Sequence, residues 1–208
     1  MVALSTQAQI IADWTFETSL PATAGPFSPE VGAGSATGFH AGAAVYSTPA
    51  GNGSSHSFSS TLWAVGDYYQ FQVSTLGLSG VLVSYDQTSS NTGPGKGRLQ
   101  YSTDGINFTP VGAADYTIVA NASPNPVWNA TTASSLYSYT YDLSAITALN
   151  NASAVYFRVV DTSTTSANGG TVAVAGTDRI DNFIVQVPEP SALVLAGFGL
   201  LMLRWRRN

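Results

Sequence analysis

The chain has 208 residues, of which 44% are hydrophobic and only 9% charged, against about 25% charged in an average soluble protein. That length suits one ordinary domain with short appendages, and the apolar share is enough for a core. A net charge of −5 with a single lysine leaves no electrostatic footprint for nucleic acid, and the absence of cysteine removes disulfides, cysteine-based zinc sites and thiol chemistry together.

Ser, Thr, Asn and Gly stand where charges usually do. Such short polar side chains compete with helical hydrogen bonds and favour exposed strand faces and turns. At the start, MVALSTQAQ carries small residues before Gln9, as at the end of a cleaved signal peptide, but no basic region and no apolar stretch of 7–15 residues. Residues 1–8 are read as a residual or truncated signal-peptide end, with an unprocessed Ser/Thr-rich start as the alternative.

Period-2 segments then recur between turn signals. Ile10–Glu17 places Trp14 and Phe16 opposite Asp13, Thr15 and Glu17, and the Pro/Gly-rich stretch from Pro21 to Gly38 reads as a long connection. Ser55–Trp63, Asp67–Thr75 and Val81–Asp86 follow; in the second, Tyr69, Phe71 and Val73 share the face opposite Tyr68, Gln70 and Gln72. Arg98–Ser102, a Thr103-Asp104-Gly105 turn, Phe108–Val111, Tyr116–Ala120, Leu136–Leu143, Val155–Asp161 and Ile180–Val187 complete about ten strands, with one helical turn at Thr147–Ala152. This predicts an all-β antiparallel sandwich, jelly-roll-like, over residues 9–186. The segments YSTDGINFTPV (101–111) and DRIDNFIVQV (178–187) resemble the middle and closing strands of carbohydrate-binding-type jelly rolls.

Three sets of residues are candidates for chemistry. Alternation places Asp181 beside Phe183 and Val185 on the face expected to be buried, where a carboxylate needs a partner or a cation. Hard oxygens suit Ca²⁺, and Asp178, Asp181 or Asn182 with Glu17 from the first strand supply them if the two strands are neighbours; the jelly-roll resemblance implies a structural calcium between terminal strands. The alternatives are a bulge that turns Asp181 to solvent, or pairing with Arg179 or Arg158. Tyr137, Tyr139 and Tyr141 alternate with Ser138 and Thr140, so the three rings line one face, as a sugar-stacking row or as the core side of an edge strand. Trp63 and Trp128 are further platforms, Trp128 lying in a polar loop.

Enzyme signatures are poor. Neither His40 nor His56 sits at a metal-ligand spacing, no G-x-S-x-G elbow appears, and Gly93-Pro94-Gly95-Lys96-Gly97 lacks the phosphate-loop spacing. No catalytic residue is assigned.

The end of the chain differs from its body. Up to residue 187 there are 4 Lys/Arg against 11 Asp/Glu, whereas residues 188–208 hold three arginines and one glutamate. Pro188-Glu189-Pro190 is followed by the apolar ALVLAGFGLLML (192–203) and then by Arg204-Trp205-Arg206-Arg207-Asn208. A core helix would not end so abruptly against basic residues. A short transmembrane segment with its arginines in the cytoplasm fits better.

This order resembles the PEP-CTERM sorting tail of bacterial envelope proteins: Pro188, Glu189 and Pro190 match the tripeptide, and Arg204, Arg206 and Arg207 the basic end. The resemblance, over residues 187–208, implies an exosortase-type membrane processing enzyme as partner, in an exopolysaccharide-producing Gram-negative bacterium. It also implies transient passage through the inner membrane and a final place in the envelope or extracellular matrix. The expectation is a non-enzymatic exported protein, associated with exopolysaccharide in a biofilm-type matrix. A calcium-stapled carbohydrate-binding module is the alternative, and an unrecognised hydrolase the third reading.

Overall fold

The computed structural model describes residues 8–188; residues 1–7 of the expected signal-peptide end and the tail from Glu189 onward lie outside them, while Ala8 opens the first strand. Alternation becomes strand where aromatic and β-branched residues hold one phase. In Tyr68–Val73 the burial alternates residue by residue, with Tyr69, Phe71 and Val73 inward. Val155–Asp161 forms a strand over the expected range.

Thirteen strands are present among the described residues: β1 (Ala8–Trp14), β2 (Val31–Gly32), β3 (Ser35–Phe39), β4 (Tyr46–Ser47), β5 (Phe58–Ser60), β6 (Tyr68–Val73), β7 (Leu82–Ser89), β8 (Lys96–Ser102), β9 (Thr109–Pro110), β10 (Tyr116–Thr117), β11 (Ser138–Asp142), β12 (Val155–Asp161) and β13 (Asp178–Pro188). They pair antiparallel into a seven-stranded sheet, ordered β11-β7-β13-β1-β2 with β5 and β4 on the side of β13, and a six-stranded sheet, ordered β10-β8-β12-β6-β3 with β9 on β8. The two face each other as a sandwich. Short 3₁₀ turns occupy Ser135–Tyr137 and Thr147–Leu149.

Several strand ends differ from the expectation for local backbone reasons. The first strand stops at Trp14 because Phe16 takes a left-handed φ of 57°. Left-handed Leu62 likewise turns the chain away soon after β5. The stretch read as a long connection holds β2 and β3. Their Gly, Ala and Ser content gives no alternation to read, yet Ala36 is fully buried opposite Phe71.

Phe71 and Phe183 stack across the two sheets at 3.6 Å between ring centroids, with Trp14 edge-on to both. Tyr85 lies over the far side of this group and carries Tyr139 and Tyr141 with it. Such aromatic pairs add about 0.5–1.5 kcal/mol each beyond area burial. Phe183→Ala removes a ring shared by three of these contacts and should cost about 3–5 kcal/mol, read as a fall in the midpoint of chemical denaturation.

Candidate functional site

The most open built surface is the outer face of the six-stranded sheet. Strand register brings Phe39, Tyr68, Val160 and Arg98 into one cross-strand row, Thr37, Gln70, Arg158 and Gln100 into the next, and Ser35, Gln72, Tyr156 and Ser102 into a third. The Arg158 guanidinium lies 3.8 Å from the ring centre of Tyr68 and 3.6 Å from that of Phe108, while its Nε donates to Gln70 Oε1 at 2.9 Å. Tyr68 stacks in turn on Phe39 at 5.0 Å. A continuous stack of ring, ring, guanidinium and ring therefore crosses the face, ending at Phe39, which is 49% exposed on the edge strand. Arg98 is neutralised by Asp115 at 2.5 Å. An open depression of about 320 Å³ beside this face is lined by Gly34, Ser35, Gln72, Ser74 and Ser153. Amides, hydroxyls, ring edges and one fixed guanidinium suit an extended polyhydroxylated ligand.

The opposite face, on the seven-stranded sheet, is closed by loops. A bulge between Asp181 and Ile184, with Asn182 at a left-handed φ of 48°, shifts the phase of β13. Ile180 and Phe183 consequently both point inward, and Asp181 points outward beside its partner Asp86. This corrects the expected placement: Asp181 shares no face with Phe183, yet it is 0% exposed because the 50–57 loop covers it. Its Oδ2 accepts from Asn52 N at 2.9 Å, Ser54 Oγ at 2.6 Å and Asn182 Nδ2 at 3.2 Å, and its Oδ1 accepts from Asn182 N at 2.8 Å. Gly51 permits this approach, since a Cβ there would lie 2.2 Å from the same carboxylate.

The other predicted site residues do not converge. Asp178 points inward, where both its oxygens accept from Gln87 Nε2 at 3.0 Å, so it and Asp181 lie on opposite faces of β13. Glu17 accepts from His56 N at 2.8 Å. Asn182 bridges Asp86 and Asp181. With Asp181 filled by four protein donors, these residues do not fit a shared calcium. No group of three or more His, Cys, Asp or Glu that could hold a metal ion occurs among the described residues.

Tyr137, Tyr139 and Tyr141 do not form a row. Tyr137 belongs to a 3₁₀ turn and packs edge-on against Trp128 at 5.3 Å, its hydroxyl donating to Pro126 O. Trp128 is 3% exposed, its indole N–H donating to Ala50 O at 2.6 Å. Tyr139 and Tyr141 turn inward onto Tyr85, and Tyr85, Tyr116, Gln87 and Asp178 continue as a buried hydrogen-bonded chain. None of these rings presents a free platform.

The structure also assembles a relay that no spacing announces. His40 Nδ1 lies 3.0 Å from Asp67 Oδ2 and its Nε2 2.9 Å from Ser60 Oγ. Those are the contacts of a nucleophile–base–orienter set, but Ser60 is 0% exposed and its hydroxyl also meets Tyr69 at 2.8 Å. Asp67 further accepts from Ala41 N and Ala64 N at 2.8 Å. The relay is buried at the nucleophile's position and ties two loops to the sheet. Three distant segments supply it, so sequence spacing held no signal for it.

A family model of the PEP-CTERM protein-sorting motif matches residues 186–208. The chain ends in a PEP-CTERM sorting motif. No curated protein matches the sequence. Among solved structures, the CBM22-2 xylan-binding domain of Xyn10C from Paenibacillus barcinonensis is similar at 13% identity and a TM-score of 0.49, over 85% of this chain and 99% of that one. The K1 cleaved adhesin domain of Lys-gingipain from Porphyromonas gingivalis is similar at 14% identity and a TM-score of 0.45, over 88% and 99%. No helix among the described residues is long and apolar enough to cross a membrane, and the apolar run 192–203 of the PEP-CTERM motif lies beyond them.

Burial raises several carboxyls: Asp178 well above its usual range, Asp181 to about 7 and Asp161 to about 6. Each keeps its proton in the folded state where the unfolded chain has lost it. Stability is therefore full below the unfolded carboxyl range and falls as pH rises through the folded values. His40, lowered by burial, acts in the opposite sense and only below about pH 6.5. The carboxyl contribution to stability should accordingly fall as pH rises from about 4 through about 7, and Asp178→Asn, which fixes the neutral charge state, should flatten that slope in urea titrations.

Proposed function

We propose that the protein is a non-enzymatic module, exported and sorted through its PEP-CTERM motif, whose six-stranded sheet face holds a polysaccharide of the envelope or matrix. The observation that supports this reading is the Phe39–Tyr68–Arg158–Phe108 stack set among Gln70, Gln72, Gln100 and Tyr156 on an open sheet face. Stacked and hydrogen-bonded side chains lose little further freedom on binding, which lowers the ordering cost. The near absence of free charge on that face favours a neutral or weakly anionic glycan over a polyelectrolyte. In this reading the sandwich is the delivered domain, and the motif matched over 186–208 is the segment an exosortase-type enzyme acts on at the inner membrane.

Two measurements test the two halves separately. Protein recovered from the native host should bind that host's purified exopolysaccharide saturably without added calcium. Tyr68→Ala and Arg158→Lys should each weaken binding by about tenfold, a loss of roughly 1.4 kcal/mol, with the circular dichroism spectrum unchanged. Equal binding by wild type and both variants refutes the assignment to this face.

Sorting has its own readout. Glu189→Ala, or deletion of Arg204–Asn208, should leave the protein cell-associated and unprocessed in mass. Unchanged release at unchanged mass refutes the role of the tail.

A further inference from the structure

Ala8 pairs with Pro188 at the ends of β1 and β13, so the chain enters and leaves the sandwich side by side at one end. The exit is fixed: β13 lies between β1 and β7 inside its sheet, and a Cβ on Gly80 would stand 3.3 Å from Pro188 Cδ. Register puts two turns at that same end. Val73, the last residue of β6, pairs with Val155, and Ser102, the last of β8, pairs with Tyr156. The connections that follow β6 and β8 therefore flank the start of β12, and the first of them carries Gly80 and so reaches Pro188.

Each of these turns lifts an apolar side chain into solvent. Leu78 N donates to Thr75 O at 2.9 Å, closing a turn with Gly77 at a φ of 74°, and Leu76 at its tip is 62% exposed. Asn151 Oδ1 accepts from Gly77 N at 2.8 Å and Asn150 Oδ1 from Gly80 N at 3.1 Å, which ties the turn down. After β8, Asp104 Oδ1 accepts from Ile106 N and Asn107 N at 2.8 Å, and Ile106 is 81% exposed. Turns favour Gly, Asn, Asp or Ser, and neither apolar side chain joins the core. The acids of this end, Asp104 and Asp142, are acceptors within their own turns, and no Lys or Arg lies in 74–81, 102–108 or 142–155. Apolar tips stand here among hydroxyls and amides.

What meets this end follows from the tether. Only Glu189, Pro190 and Ser191 separate Pro188 from the apolar run 192–203. Four residue steps span at most about 14 Å, of which the headgroup layer of one leaflet takes about 5–8 Å. With the run in a bilayer, this end of the sandwich stands within about 10 Å of the headgroups. We propose that, before processing, the end around Pro188 docks on the bilayer surface, with Leu76 and Ile106 seated among the headgroups as anchors. The inference rests on the reading of the tail as a segment handled at the membrane, and it adds an orientation. The strands stand upright on the lipid, and the six-stranded sheet face opens sideways, clear of it.

The chain holds no cysteine, so Ser79→Cys and Thr103→Cys, both at exposed positions, each place one environment-sensitive dye beside an anchor without replacing it. Val174→Cys places one at the opposite end, just before β13 begins. The full chain, inserted through its tail into vesicles of phosphatidylcholine and phosphatidylethanolamine, is followed by vesicle flotation and by iodide quenching of the dye. Insertion should lower quenching severalfold at the Ser79 and Thr103 positions and leave it unchanged at Val174. Leu76→Ser combined with Ile106→Ser should restore most of the quenching while flotation stays the same, and urea midpoints show that the variants remain folded. Full quenching at both positions in chains that float overturns the docking and leaves the reading of the tail intact. Shielding that the double variant does not relieve comes from the tether alone and overturns the docking as well. A chain that does not float with the vesicles overturns both.

Discussion

The fold depends on carboxylates used as hydrogen-bond acceptors for loop backbone. A sandwich with long irregular connections leaves many N–H groups without a ladder partner, and each must be satisfied. Here Glu30 alone accepts from Thr15 N, Phe16 N, Thr18 N and Ser19 N and from the Thr18 and Ser19 hydroxyls, at 3.0–3.3 Å. Asp67 gathers Ala41, Ala64 and His40, Asp181 gathers Asn52, Ser54 and Asn182, and Asp104 closes the 104–107 turn through Ile106 N and Asn107 N. A carboxyl offers about four lone-pair sites, and where it is ionised, as its lowered pKa favours at Glu30, the bonds are charge-assisted. The excess of acids over bases in the body therefore builds the loops instead of forming a polyanionic surface. It also does, without cysteine, part of what disulfides do elsewhere in small exported domains.

That role explains which parts of the structure were legible in the sequence. Strands with one aromatic phase, β6 and β12, could be read in phase, β12 to the residue and β6 to within one or two residues at each end, and the outward set Tyr68, Gln70 and Gln72 that lines the sheet face came with them. Asp181 was misplaced because alternation was extended back from Phe183 through Asn182, whose left-handed backbone inserts a bulge. Tyr137 left the expected tyrosine row for a similar reason: a 3₁₀ turn rotates it away before β11 begins. Trp128 sits in a polar loop, which favoured exposure, but the loop folds over the outer sheet face and its indole N–H finds Ala50 O. The acceptor roles of Glu30 and Asp67 depend, Ala64 apart, on contacts 11 to 27 residues distant in sequence, where no periodicity exists to be read.

The two sheet faces have diverged accordingly. The outer face of the seven-stranded sheet is covered by loops anchored to Asp86 and Asp181, and its aromatic residues, Trp128 and Tyr137, serve that cover. The outer face of the six-stranded sheet carries no such roof. Its Arg158 is held by stacking and by an amide, and no carboxylate among the described residues pairs with it. A guanidinium flanked by rings on both sides keeps its charge with little conformational freedom, at a cost in rotamer entropy that packing alone does not require on an exposed sheet.

The same economy bears on how the chain is handled. Carboxyls raised by burial make the folded state less demanding of neutral pH, because their protons are retained on the acidic side, where ion-paired proteins lose stability. A domain with few surface charges offers little general electrostatic attraction to nucleic acid or anionic lipid, which leaves the sorting motif at 186–208 as an addressing signal the chain carries. In the proposed reading, sorting and retention would fall to separate parts of one chain: a linear motif and a preorganised sheet face.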